Sequence, residues 1–327
     1  MEKLLEVKDL YVDYHTDEAV VHALNGFSLD VCKGETLGLV GETGAGKTTM
    51  CLSVLRLLPE QVGKIVSGSI FYRDIDILKA SNEKMRSLRG SEISMIFQDP
   101  MSSLNPIMTV GDQIKEVLDL HHKEMDEREK NARVDNVLKL VGIPPERKDQ
   151  YPHQFSGGMK QRVVIAMALV SKPKLMLADE PTTALDVTIQ AQILALMKEL
   201  KSQFDSAMVL VTHDLGVVNK FCDRVAVTYA GVIVETGTIE QVFTRTKNHP
   251  YTTGLFGCIP DLKSDAPRLE TIPGHMPNPS NLPKGCKFAD RCSKCQAQCK
   301  EAEPPMMEVE KGHQIKCWFA NEGSEET

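Results

Sequence analysis

The chain has 327 residues, 42% of them apolar and 25% charged, with a formal net charge of −7. That length can bury a large core and form more than one domain. The acidic balance argues against non-specific nucleic-acid binding, and no apolar run approaches the ~18 residues needed to span a bilayer. The start, Met1-Glu2-Lys3-Leu4-Leu5-Glu6-Val7, lacks a signal-peptide pattern. The expected location is therefore the cytoplasm, with any membrane role coming through a partner.

Residues 3–33 alternate apolar and polar and predict antiparallel strands with a turn near Gly26. Tyr14 precedes a glycine-rich turn, where it can stack on a base or serve as a half-buried strand tyrosine. Thr36-Leu37-Gly38-Leu39-Val40 is a buried-strand pattern running into GETGAGKT at residues 41–48. This has the phosphate-loop form G-x-x-x-x-G-K-[ST]. Gly41, Gly44 and Gly46 let the backbone wrap a phosphate, with Glu42, Thr43 and Ala45 between them. A helix is predicted over 49–58, from Thr49 to the break at Pro59, and its N-terminus favours anions. Lys47 can reach the β- and γ-phosphates, and the Thr48 hydroxyl can ligate Mg²⁺.

Residues 64–78 read as strand–turn–strand. A buried strand from Ile93 ends at Gln98, where a loop begins. From Met101 to about Lys172 the pattern turns helical, with amphipathic spacing over 110–121 and 127–141. This is a helical insertion in an α/β core. Ser156-Gly157-Gly158 opens the next helix, with Ser156 as N-cap and two glycines baring an anion-binding terminus. Residues 174–179 form a buried strand ending in Asp179-Glu180. That geometry suits nucleotide hydrolysis, with Asp179 on Mg²⁺ and Glu180 as general base or water-positioner. Ala184-Leu185-Asp186 leads into a helix from Val187. A last buried strand over 207–212 ends at His213, a residue that matters only in company.

Nine cysteines are unevenly spread. Cys32, Cys51, Cys222 and Cys258 read as ordinary buried thiols. Cys286, Cys292, Cys295, Cys299 and Cys317 crowd the end. In a cytosolic chain such a cluster suggests metal rather than disulfides, and thiolates suit Fe–S clusters and Zn²⁺ alike.

The order of these motifs over residues 4–245 resembles an ABC-transporter ATPase subunit. The resemblance implies an α/β ABC-ATPase cassette: a P-loop RecA-like core, an antiparallel β subdomain and a helical subdomain at about 101–172. It implies catalytic roles for Glu180, His213 and the Q-loop residue Gln98, with Mg²⁺ held through Thr48, Gln98 and Asp179. ATP contacts extend to Tyr14, residues 41–49, the signature Ser156-Gly157-Gly158 and the D-loop Asp186. The signature is FSGGM rather than LSGGQ, and Met159 cannot make the hydrogen bonds of a glutamine amide.

The C-terminal residues narrow the resemblance. His249-Pro250-Tyr251-Thr252 and Gly285-Cys286-Lys287-Phe288 with Arg291-Cys292 look like the extension of oligopeptide/dipeptide importer ATPases, with nickel importers close by. The domain division implied is 1–248 for the cassette and 249–327 for a small Cys-rich extension. The family pattern implies a 4Fe–4S cluster on Cys286, Cys292, Cys299 and Cys317, with Cys295 spare and Zn²⁺ as the alternative. Implied partners are a second ATPase chain in a head-to-tail dimer, two permeases touched by residues 99–108, and an extracytoplasmic solute-binding protein. The resemblance implies a peripheral position on the cytoplasmic face of the membrane. A soluble ABC-type ATPase unconnected with transport is the rival class, but those carry long coiled-coil inserts or tandem cassettes, and this chain has one cassette.

Overall fold

The computed structural model describes residues 2–99, 103–183, 185–244, 247–258 and 271–320. Ala184, residues 100–102 of the expected permease-facing segment, and residues 259–270 and 321–327 of the extension lie outside that set. The first elements are β1 (Lys3–His15), β2 (Val20–Cys32), β3 (Thr36–Val40), α1 (Lys47–Val54), β4 (Gly63–Tyr72), β5 (Ile75–Asp76), α2 (Asn82–Leu88) and β6 (Ile93–Ile96). Then come α3 (Val110–His121), α4 (Glu127–Leu140), α5 (Gly157–Leu169), β7 (Leu175–Asp179), α6 (Val187–Gln203) and β8 (Ala207–Thr212). The chain continues with α7 (Leu215–Phe221), β9 (Arg224–Tyr229), β10 (Val232–Thr238), α8 (Ile239–Phe243), α9 (Pro250–Gly257), α10 (Ala297–Glu301), β11 (Met307–Glu310) and β12 (His313–Ile315).

Contacts divide the chain into two compact units. One comprises Met1–Leu5, Val31–Thr36 and Tyr72–Val211. Its β6, β7 and β8 pair in parallel. Every residue of β7 and β8 is buried, as expected of parallel strands covered on both faces. Helices α3, α4 and α5 pack together in the stretch that the sequence marks as helical. Their starts are set locally. The Thr109 hydroxyl accepts from Asp112 N–H, and Asp126 and Glu129 form a capping box.

The other unit comprises Glu6–Asp30, Leu37–Phe71 and Thr212–Thr327. Here β1 and β2 form a hairpin, but its turn lies at residues 16–19, not at Gly26. Thr16 closes it, exchanging backbone and hydroxyl bonds with Ala19. Gly26 sits inside β2 at φ +72°, beneath the Tyr11 ring. The helix after the phosphate loop runs Lys47–Val54 rather than 49–58, because Arg56 takes a left-handed φ of +50° before Pro59 is reached.

In this unit β3 pairs with β9 in parallel, and β10 continues the sheet antiparallel to β9. The extension then adds β12 and β11 to that edge, antiparallel throughout. These four strands from β9 onward were not read from the sequence. Glu235 on β10 is fully buried and accepts from His313 Nε2 and Asn248 Nδ2, both at 2.8 Å, and from His249 N–H at 2.9 Å. The Tyr229, Tyr251 and Phe288 rings pack together at centroid distances of 4.7 to 5.4 Å. The described residues after 247 are therefore built on the sheet that carries the phosphate loop.

Candidate functional site

The phosphate loop leaves β3 fully buried and turns at Gly46, the N-cap of α1, with φ +93°. A Cβ there would sit 2.6 Å from the Leu24 side chain and 2.7 Å from the Ala23 carbonyl. Only glycine fits both the dihedral and the space. Lys47 is 6% exposed. Its ammonium donates to the Gly41 carbonyl at 2.8 Å and the Glu42 carbonyl at 3.0 Å. Thr48 faces solvent at the start of α1. The far side of the loop is tied to β9, where the Thr228 hydroxyl donates to the Ala45 carbonyl at 3.1 Å. Tyr14 and Thr49 share a hydroxyl hydrogen bond at 3.2 Å, so Tyr14 does lie beside this helix. Two residues of the extension reach the same loop. The Tyr251 hydroxyl accepts from Glu42 N–H at 3.0 Å, and Arg291 Nη1 stands 3.0 Å from each Glu42 carboxylate oxygen.

In the other unit, Asp179 ends β7 at 2% exposure. Glu180 follows in the left-handed region, φ +46°, with its N–H donating to the Val211 carbonyl at 2.9 Å. A non-glycine residue held in that region is typical of functional turns. Its carboxylate accepts from Gln98 Nε2 at 3.2 Å and from the Thr183 hydroxyl at 2.8 Å. Gln98 lies two residues past the end of β6, in the loop. Asp186 caps α6, accepting from Ile189 N–H at 2.9 Å.

Ser156 occupies the N-cap position of α5, yet its hydroxyl does not cap that helix. A Cβ on Gly157 would meet open space. Gly157 thus presents open backbone at the helix start, whereas a Cβ on Gly158 would stand 2.9 Å from the Ile189 side chain. Arg147 supports it from behind, 4.4 Å over the Phe155 ring and donating to the Gln154 carbonyl and to the Met159 sulfur. Met159, where a glutamine would be expected, is therefore a packing partner of Arg147. His213 is exposed directly after β8.

The cysteines sort clearly. Cys286, Cys292, Cys299 and Cys317 all line one cavity of about 150 Å³, with Phe288 and Trp318, and Cys295 does not. Gly285 lies so close against the Cys299 carbonyl that a Cβ there would collide with it. Cys286 N–H donates to that same carbonyl at 2.7 Å. Burial pushes the Cys286 thiol up to about 11 and raises Cys292 as well. Among the described residues, no three His, Cys, Asp or Glu side chains come close enough to hold one metal ion. Of the four scattered thiols, Cys32 and Cys51 are buried as expected, whereas Cys258 is exposed.

A wrapped phosphate loop opening a helix, and a strand-end Asp-Glu pair with a glutamine on the glutamate, define a P-loop nucleoside-triphosphatase. Residues 24–183 match the family model described as ABC transporter, and residues 234–299 match that of the oligopeptide/dipeptide transporter C-terminal region. The chain is 47% identical over 327 residues to the dipeptide transport ATP-binding protein DppD of Bacillus subtilis (strain 168), covering 99% of this chain and 97% of that one. It is 50% identical over 320 residues to the oligopeptide transport ATP-binding protein OppD of the same organism, covering 97% and 89%. Among solved structures, it resembles the dimeric post-hydrolysis state of an ATP-binding cassette bound to ADP and Pi. That match has a TM-score of 0.64 and 28% identity over 72% of this chain and 98% of that one. The chain belongs to the oligopeptide/dipeptide branch of the ABC-transporter ATP-binding proteins, and it is an ATPase.

Sequence reasoning missed four supporting residues: Tyr251, Thr228, Arg147 and Arg291. Tyr251 and Arg291 stood inside quoted motifs, but nothing in their spacing shows that they meet the phosphate loop more than 200 positions away.

Proposed function

We propose that this chain is the ATP-hydrolysing subunit of an importer for dipeptides or oligopeptides. The observation that carries this reading is the near full-length likeness to peptide-transport ATP-binding proteins, which extends through the C-terminal region. Nickel import finds less support, since the relatives named above are peptide transporters. In this reading the cassette, residues 1–248, does the chemistry and the extension, residues 249–327, distinguishes the branch.

Lys47 and the backbone of residues 41–49 bind the β- and γ-phosphates, and Tyr14 stacks on the base. Thr48, Gln98 and Asp179 are the oxygen donors suited to Mg²⁺, which when bound neutralises charge on the phosphates. Glu180 accepts the proton of the attacking water, with Gln98 and Thr183 fixing its carboxylate. His213 serves the γ-phosphate. Ser156-Gly157-Gly158, with Asp186, serves the nucleotide of a second ATPase chain in a head-to-tail pair. The dimeric state of the similar cassette supports that pairing. Closure of the pair works two permeases, which receive peptide from an extracytoplasmic binding protein, while the chain sits on the cytoplasmic face.

Cys286, Cys292, Cys299 and Cys317 are the residues that would hold a 4Fe–4S cluster. The shared cavity supports this donor set, and Cys295, whose thiol interacts with that of Cys299, is the possible substitute. Zn²⁺ on the same thiolates is the alternative, and the preference for a cluster rests on the family resemblance alone. When bound, the cluster staples a segment with little apolar core of its own.

Co-purification with the permeases followed by an ATPase assay tests the whole reading. Di- or oligopeptide together with the binding protein is expected to stimulate hydrolysis. Stimulation by Ni²⁺ instead, or no association with permeases, would replace it with the nickel or the soluble alternative.

A further inference from the structure

The phosphate loop of this chain carries a carboxylate, Glu42, inside a structure whose task is to bind a polyanion. Such a charge opposes phosphate binding unless it is cancelled. Arg291 cancels it. The Arg291 side chain is 7% exposed, and its Nη1 lies 3.0 Å from both Glu42 carboxylate oxygens. The rest of the fork is anchored by the extension itself, with Nε donating to the Pro273 carbonyl at 2.9 Å. Tyr229 lies within 3.4 Å of the same Nη1, under the guanidinium.

The contact continues into the loop. Glu42 N–H is fixed by the Tyr251 hydroxyl, and the Glu42 carbonyl accepts from the Lys47 ammonium at 3.0 Å. Arg291 thus grips the Glu42 carboxylate while Lys47 holds the backbone carbonyl of the same residue. Met276 closes on Gly44 from the same segment, 3.1 Å from where a Cβ would lie. Arg291 is covalently next to Cys292, and its own N–H is bonded to the Phe288 carbonyl at 3.0 Å in the turn that carries Cys286 and Cys292.

We propose that Arg291 is a positioning residue for ATP binding: it neutralises and orients Glu42, and so makes nucleotide affinity depend on the Cys-rich extension. This rests on the reading of the chain as an ATPase of this branch. A buried arginine without its carboxylate, or a loop carboxylate without its arginine, loses a charge-assisted pair.

Equilibrium titration of the full chain with a fluorescent ATP analogue tests it, with iron content measured in parallel. Arg291→Ala is expected to weaken binding about ten-fold, because it leaves an uncancelled carboxylate on the loop. Adding Glu42→Gln to that variant is expected to recover most of the loss, and the deficit of Arg291→Ala should shrink in high salt. A purely structural role for Arg291 would give no such rescue. Wild-type affinity in Arg291→Ala overturns the proposal, as does a double variant no tighter than the single. Should Arg291→Ala fail to fold, Arg291→Gln in the wild-type and Glu42→Gln backgrounds gives the same comparison. If the wild-type chain itself binds no ATP analogue, the ATPase reading fails rather than this one.

Discussion

Gln98 donates from Nε2 to the Glu180 carboxylate at 3.2 Å, although the two lie 82 positions apart. The pair joins the end of β6 to the end of β7, adjacent strands in register through Ile96 and Ala178. Parallel pairing is what brings a loop glutamine onto a strand-end glutamate. Glu180→Gln keeps the shape and removes the proton acceptor. It is expected to retain ATP binding and lower turnover of the assembled transporter by at least about 100-fold. Near-normal steady-state hydrolysis would take Glu180 out of the catalytic role.

Lys47→Ala is expected to weaken ATP by one to two orders of magnitude, since a charge-assisted contact to phosphate is worth about 1.5–3 kcal/mol. Two loop carbonyls already hold the ammonium in place, so little ordering is left to do on binding. Equilibrium titration reads the effect, and unchanged affinity would exclude it.

Ser156→Arg puts bulk and charge where the hydroxyl serves no cap and the neighbouring Gly157 faces open space. Monomeric ATP binding should persist while ATP-driven dimerisation is lost. Light scattering of the hydrolysis-deficient background decides this. A normal dimer would mean that the segment does not serve a second chain.

The cysteines make separable predictions. Anaerobically purified protein should contain iron and acid-labile sulfide and absorb broadly near ~400 nm. Cys286→Ser should lose most of the iron, and Cys295→Ser should keep it, because Cys295 is absent from the cavity wall. Stoichiometric zinc without iron would replace the cluster by a single ion. Equal iron loss in both variants would refute the donor set.

Acid should loosen the extension through His249. Burial pushes this imidazole down to about 3, and its Nδ1 must stay unprotonated to accept from Tyr251 N–H at 3.1 Å. The unfolded chain titrates near ~6.5. Between those values the unfolded state binds the extra proton, so stability falls as pH drops from about 6.5 towards 3, by up to about 1.4 kcal/mol per pH unit. Thermal unfolding of His249→Asn, which keeps an acceptor at the N-cap, should show a shallower acid slope than wild type. Identical slopes would exclude the contribution.

What the sequence determined by itself is local chemistry. The phosphate loop is contiguous, and its glycines and lysine act within eight residues of one another. The boundaries of α3 and α4 follow from caps and apolar spacing read within a turn or two. The buried runs of β7 and β8 declare themselves because both faces of a parallel sheet are covered. Tertiary structure decided whatever joins distant residues. The hairpin turn moved from Gly26 to residues 16–19 because a single glycine inside a strand looks the same as one in a turn. Strands β11 and β12 alternate in burial but have only four and three residues, too few for the alternation to mark a strand. They are held by pairing with β10 and by the buried Glu235. The contact between Arg291 and Glu42 spans 249 positions. No spacing rule can foresee it, because it exists only once the extension has joined the sheet that carries the loop.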